Sequence, residues 1–135
     1  MRNNTSLLRS IVPALVAAVI YVAIVYACSA LIADPAQSWV GVVVLCIWIT
    51  VAVVLGVIGR SISAALLNSS LFSFTAMLLL HLTSWATGTG SFRDMLFLGL
   101  IYALMFSIAG ILLGALGYLM KRPFRASNPK NERAS

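Results

Sequence analysis

Between positions 11 and 120 the chain carries four charged side chains, Asp34, Arg60, Arg93 and Asp94. They fall at three points that cut the sequence into four apolar runs. A run with no charge and no turn residues has one stable fate in hydrocarbon. Every backbone N–H and C=O must be paired within the segment, which a helix does and an isolated strand does not. The last run, residues 95–120, reads MLFLGLIYALMFSIAGILLGALGYLM. As a helix it would extend roughly 39 Å, more than the roughly 30 Å apolar core of a bilayer. The other runs occupy residues 11–33, 38–59 and 62–86. The 135 residues are 61% hydrophobic and 9% charged, with mean hydropathy +1.04. A soluble domain needs about 25% charged residues to cover its surface. The expected fold class is therefore all-α: a polytopic membrane protein with four transmembrane helices in an antiparallel bundle over residues 1–120. A basic, disordered cytoplasmic tail, residues 121–135, is expected to follow.

Local signals mark the ends of these runs. Pro13 is expected in the first turn of helix one, where its missing N–H costs little. Val25-Tyr26-Ala27-Cys28 loosely resembles a lipoprotein cleavage box, but the apolar run continues past Cys28 and is too long for a signal peptide, so it reads as a retained span. Asp34, Pro35 and Gln37 suit the N-cap, first position and capping-box position of helix two. The Gly59-Arg60-Ser61 connection is short enough to make spans two and three antiparallel neighbours. Residues 87–91 read as a flexible loop, with Ser91 and Asp94 forming the capping box of helix four. Pro123 and Pro129 are expected to discourage further helix.

Charge sets the orientation. Arg2, Arg9, Arg60, Lys121, Arg122, Arg125, Lys130 and Arg133 fall on one side of a four-span arrangement, and Arg93 alone on the other. The positive-inside rule then places both termini in the cytoplasm, in a multi-pass protein of the plasma membrane. The net charge of +6 does not read as a nucleic-acid footprint, because the basic residues flank apolar runs and no nucleic-acid-binding motif is present.

Three sets of residues are candidates for function. Gly99, Ala103, Ser107, Gly110, Gly114 and Gly117 step by four, four, three, four and three along one helix face. Small residues at that period let a second backbone approach closely and gain dispersion contacts, so this stripe is the expected helix-packing surface. Span three is the most polar, and Asn68, Ser73 and His81 are the residues that would line a polar pathway. A titratable group inside a span is by default worth a functional hypothesis. Serine, however, also bonds to its own helix carbonyls, so its polarity alone proves no pore. At the cytoplasmic edge, Lys121, Arg122 and Arg125 are expected to meet anionic lipid headgroups. Cys28 and Cys46 lack metal or redox spacing and read as small apolar residues, a disulfide between them being the lesser alternative. Asp34 and Asp94 both have capping roles, and no HExxH, GxSxG or Walker pattern occurs.

Neither catalysis nor a cofactor is expected. The sequence reads as a small integral membrane protein of interaction or accessory type, packing through the helix-four stripe within its own bundle, against a second copy, or against a larger membrane complex. The alternative is a homo-oligomeric channel or small-solute transporter lined by span three.

Overall fold

The computed structural model describes residues 4–31, 39–86, 88 and 91–126. It is all-helical there, in the order α1 (Asn4–Leu31), α2 (Trp39–Ile58), α3 (Ile62–Ala86) and α4 (Phe92–Ala126). Each helix holds a segment long and apolar enough to cross a membrane: Ile11–Ala30, Gly41–Ile58, Ile62–Ala86 and Phe92–Lys121.

The inside and outside of this fold are exchanged relative to a water-soluble protein. The buried positions are dominated by small side chains, Ala14, Ala18, Ala52, Ala65, Ala76 and Ala103, joined by Ser69 and Ser73. Among the described residues only Tyr21, Trp48, Leu55, Phe72 and Met77 are large, apolar and buried. Long apolar side chains face outward instead, as at Leu112 (68% exposed), Phe97 (65%) and Ile108 (64%). In water such a surface would be a large association liability. In lipid it is solvated by acyl chains, and small residues inside are what let helices pack closely.

The helix α3 is the hub. Three helices pack on it, and it is the most enclosed, with few large side chains left outside beyond Ile62, Leu67 and Trp85. The Phe72 ring meets Tyr21 of α1 edge-on at 5.8 Å between centroids, and Trp48 of α2 meets Phe106 of α4 at 4.9 Å. From α1, Tyr21 Oη donates to Val44 O of α2 at 3.3 Å and Tyr26 Oη to Thr83 Oγ1 of α3 at 2.6 Å.

Helix starts follow their caps. Ser61 Oγ accepts the Ala64 N–H at 3.2 Å, and Ser91 Oγ accepts the Asp94 N–H at 3.2 Å while its hydroxyl donates to Asp94 Oδ2 at 2.6 Å. The Asp34-Pro35-Gln37 cap expected for α2 lies outside the described residues.

Two boundaries differ from expectation. Helix α1 begins at Asn4, so Pro13 sits inside it rather than in its first turn. Helix α4 continues through residues 121–126 with Pro123 inside, where a non-helical tail was expected to begin. The physical reason is shared. Hydropathy ends where the bilayer ends, whereas a helix ends where backbone pairing is lost. A proline removes one N–H, and the orphaned carbonyl is tolerated where water or headgroups reach it. The sequence beyond residue 126 lies outside the described residues.

The tightness of the interior gives a direct test. A Cβ on Gly114 would stand 2.8 Å from Ser69 Oγ and 2.9 Å from Ala65 O, whereas Gly41 has nothing within 4 Å of that position. Gly114→Leu is expected to lower stability by about 3 kcal/mol or more, since backbone cannot yield cheaply to overpacking. Gly41→Leu, on the outer surface, is expected to be neutral. Thermal unfolding of both variants in mild detergent, followed by size-exclusion chromatography, checks the contrast.

Candidate functional site

The glycine-rich stripe and the polar face of α3 turn out to be two halves of one interface. By register, Ser70, Ser73, Met77 and His81 share one face of α3, and this face meets α4. A Cβ on Gly99 would stand 2.9 Å from His81 Cβ, and one on Gly110 would stand 2.6 Å from Ser69 O. Ala103 is fully buried, and Ser107 Oγ lies 2.6 Å from Ser70 Oγ in a hydroxyl pair across the seam. The stripe then passes to α2. A Cβ on Gly56 would stand 2.5 Å from Gly114 O, and one on Gly117 would collide with Val53 O. The stripe is thus occupied by the chain's own α2 and α3.

The hydroxyls of this interface satisfy themselves locally or one helix away. Ser69 Oγ donates to Ala52 O of α2 at 2.7 Å, and Ser73 Oγ to Ser69 O at 2.8 Å. Thr83 Oγ1 and Ser84 Oγ donate to the carbonyls of Leu79 at 2.7 Å and Leu80 at 2.8 Å. Back-bonding of this kind satisfies the hydroxyl without a partner from another helix. His81 Nδ1 lies 2.8 Å from Met77 O. Since a carbonyl only accepts, Nδ1 is the donor in this bond. The ring stacks on Tyr102 of α4, 5.2 Å between centroids and 18° from parallel.

The three candidate pathway residues are not brought together as a lining. Ser73 is fully buried in the α4 seam, and His81 is half-buried near the other end of the helix. Asn68 stands about 100° around the helix from Ser69 and about 140° from His81. It is 8% exposed, and its Oδ1 has no hydrogen-bond partner. Trp48 Nε1 is likewise buried and unpaired. Both cysteines are free, Cys28 half-buried and Cys46 exposed. Among the described residues, no three His, Cys, Asp or Glu side chains gather closely enough to hold a metal ion.

At the end of the seam Lys121 takes an unforeseen role. Its half-buried side chain reaches back to donate from Nζ to Gly59 O at 3.1 Å. Gly59 closes the last turn of α2 through its N–H to Leu55 O at 3.2 Å. A cation on that carbonyl satisfies an orphan acceptor and lies at the negative end of the helix dipole, worth about 0.3–1 kcal/mol. Lys121 is thus occupied inside the protein. The side chains of Arg122 and Arg125 lie outside the described part.

Comparison with protein-family models, with curated proteins and with solved structures finds no match to this chain.

Unpaired and paired polar groups predict opposite mutational effects. Asn68→Leu removes an orphan acceptor while keeping the branched heavy-atom shape and is expected to hold stability constant or raise it by about 1 kcal/mol. Ser69→Ala removes a bond between helices and is expected to cost about 0.6 kcal/mol. Unfolding titrations of the two variants in the same mixed micelles separate the cases.

Proposed function

We propose that the chain is a non-catalytic integral protein of the cytoplasmic membrane, an antiparallel four-span bundle with both termini in the cytoplasm. It acts as an accessory component, by lateral association with other membrane proteins. The observation that carries this reading is the seam between α3 and α4. Most of the small and polar residues that would build a solute pathway or a reactive site are spent on packing: Ser70 pairs with Ser107 across the seam, Ser69 bonds to α2, and Ser73 and His81 bond to carbonyls of their own helix, while Asn68 stands off the seam. What remains for outside contact is an apolar belt and two charged ends.

The antiparallel order is supported by the pairing itself. Trp85 meets Phe92, His81 meets Tyr102 and Ser70 meets Ser107, so numbers fall along α3 as they rise along α4. Orientation is supported by the eight-to-one distribution of basic residues and the positive-inside rule. The channel reading is weakened by the position of α3. A pore between copies must be lined by a helix that copies share, and α3 is the helix most enclosed by its own chain.

Two measurements test this. A fluorescent protein fused at the C-terminus is expected to be bright and a periplasm-dependent phosphatase at the same position inactive, with the pattern reversed for insertions at Gly88. Extraction of the tagged chain in mild detergent at native expression is expected to give a particle in which a larger membrane protein accompanies the 14.4 kDa chain in fixed stoichiometry. A pure homo-oligomer that conducts ions or solute in liposomes would overturn the accessory reading.

A further inference from the structure

At its start, away from Lys121, α4 carries a hollow of mixed charge. Arg93, Asp94, Leu96, Phe97 and Leu100 line it, and its volume is about 490 Å³. Arg93, Leu96, Phe97 and Leu100 follow the spacing that stacks side chains on one helix face, and Asp94 stands about 100° around from Arg93. The hollow is separate from the polar end of the seam. Tyr102, which carries the His81 stack, lies about 180° around the axis from Arg93. The uncharged run 95–120 begins directly after Asp94. The hollow thus has a charged rim and an apolar wall, at the level where hydrocarbon gives way to headgroups. Among the described residues Arg93 has no ion-pair partner, and adjacent residues on a helix do not face each other, so Asp94 does not neutralise it. Asp94 accepts the Ser91 hydroxyl on Oδ2 at 2.6 Å, and its N–H donates back to Ser91 Oγ at 3.2 Å. This double contact holds the carboxylate in place and leaves Oδ1 for a further donor.

From this arrangement we infer that the hollow binds the head of a zwitterionic phospholipid whose ammonium carries N–H groups, the chemistry of phosphatidylethanolamine. A rim with one cation and one anion has no net charge, so it selects a head with both signs over a plain anion. The Arg93 fork makes paired hydrogen bonds to phosphate oxygens, and Asp94 Oδ1 accepts from the ammonium. A choline head offers the same phosphate but no N–H to Asp94. A glycerol head offers no cation, and its phosphate meets the like charge of Asp94 uncompensated. The volume falls in the range of roughly 300–1,000 Å³ typical of small-ligand sites. That is too little for a whole phospholipid, so the hollow holds the head and the acyl chains run down past Phe97 and Leu100. The site requires insertion in a membrane and nothing of the accessory role proposed above.

The test places the full chain in nanodiscs of phosphatidylcholine, phosphatidylethanolamine and phosphatidylglycerol in equal parts and reads retained lipid by native mass spectrometry. The parent is expected to keep phosphatidylethanolamine about threefold over each of the others, the scale of one exposed ion pair. Asp94→Asn, which still offers Ser91 an oxygen, is expected to keep phosphatidylethanolamine and phosphatidylcholine equally. Arg93→Gln is expected to retain about threefold less of both. Arg93 is exposed, so Arg93→Gln is expected to unfold at the parent's midpoint in lipid-free detergent, and its lost retention then reads binding alone. Equal retention of the three lipids by the parent overturns the site, as does a preference for phosphatidylglycerol or an unchanged pattern in Arg93→Gln. Displacement of the lipid by soluble phosphoethanolamine would overturn it too, by marking a site for a free solute. Both nanodisc leaflets carry the same lipids, so a reversed topology would leave these readouts intact and only the fusion reporters would detect it.

Discussion

In hydrocarbon a helix gains nothing by hiding apolar surface, so α3 must be held against α4 by contact distance and hydrogen bonding. The seam supplies both. Gly110 and Gly114 remove the side chains that would separate the backbones, and Ser69, Ser70 and Ser73 occupy the space with hydroxyls that are themselves satisfied. Each contact contributes little, on the order of tenths of a kcal/mol for a dispersion pair. The total is meaningful because a close approach repeats along several turns. The remaining architecture depends on this. Helix α2 reaches the pair through Gly56 and Gly117, and Lys121 locks the far end only because α4 has already come within reach of Gly59.

Polarity within a span therefore has two meanings here. Ser73 and His81 are polar but engaged, one with Ser69 O and the other with Met77 O. Asn68 Oδ1 and Trp48 Nε1 are buried without partners, a cost of roughly 1–3 kcal/mol each. A count of polar residues along α3 treats the two kinds alike. Only the partner atoms separate a hydroxyl that glues helices together from an amide that is left wanting.

What could be read in advance follows from this difference. The four spans were legible because charge in lipid is costly, and the charged residues between positions 11 and 120, Asp34, Arg60, Arg93 and Asp94, all fall between the apolar runs. The stripe on α4 was legible as a period, since Gly99 to Gly117 repeat at helical spacing. What fills it was not, because a period defines a face and says nothing of what stands opposite. Ser107 was read as one small residue of the stripe, and its pairing with Ser70 depends on the axial offset of two helices, which no local signal encodes. The extent of α1 and α4 was misjudged for another reason. Pro13 and Pro123 act as breakers in a helix interior dry enough to punish a lost bond, and both lie near the ends of the spans, where that penalty is small. Lys121 looked like a headgroup contact by position, and only the proximity of Gly59 reveals its other use.

The hub position of α3 has a consequence for how the protein is made. Helices leave the ribosome in order, so α3 enters the membrane before α4 exists. For the interval needed to synthesise α4, its serine face has no mate. During that time the face must be sheltered by the insertion machinery or by α2, to which Ser69 is already bonded through Ala52 O. Among the described helices α4 is the one whose arrival covers this face and gives Ser70 its partner in Ser107.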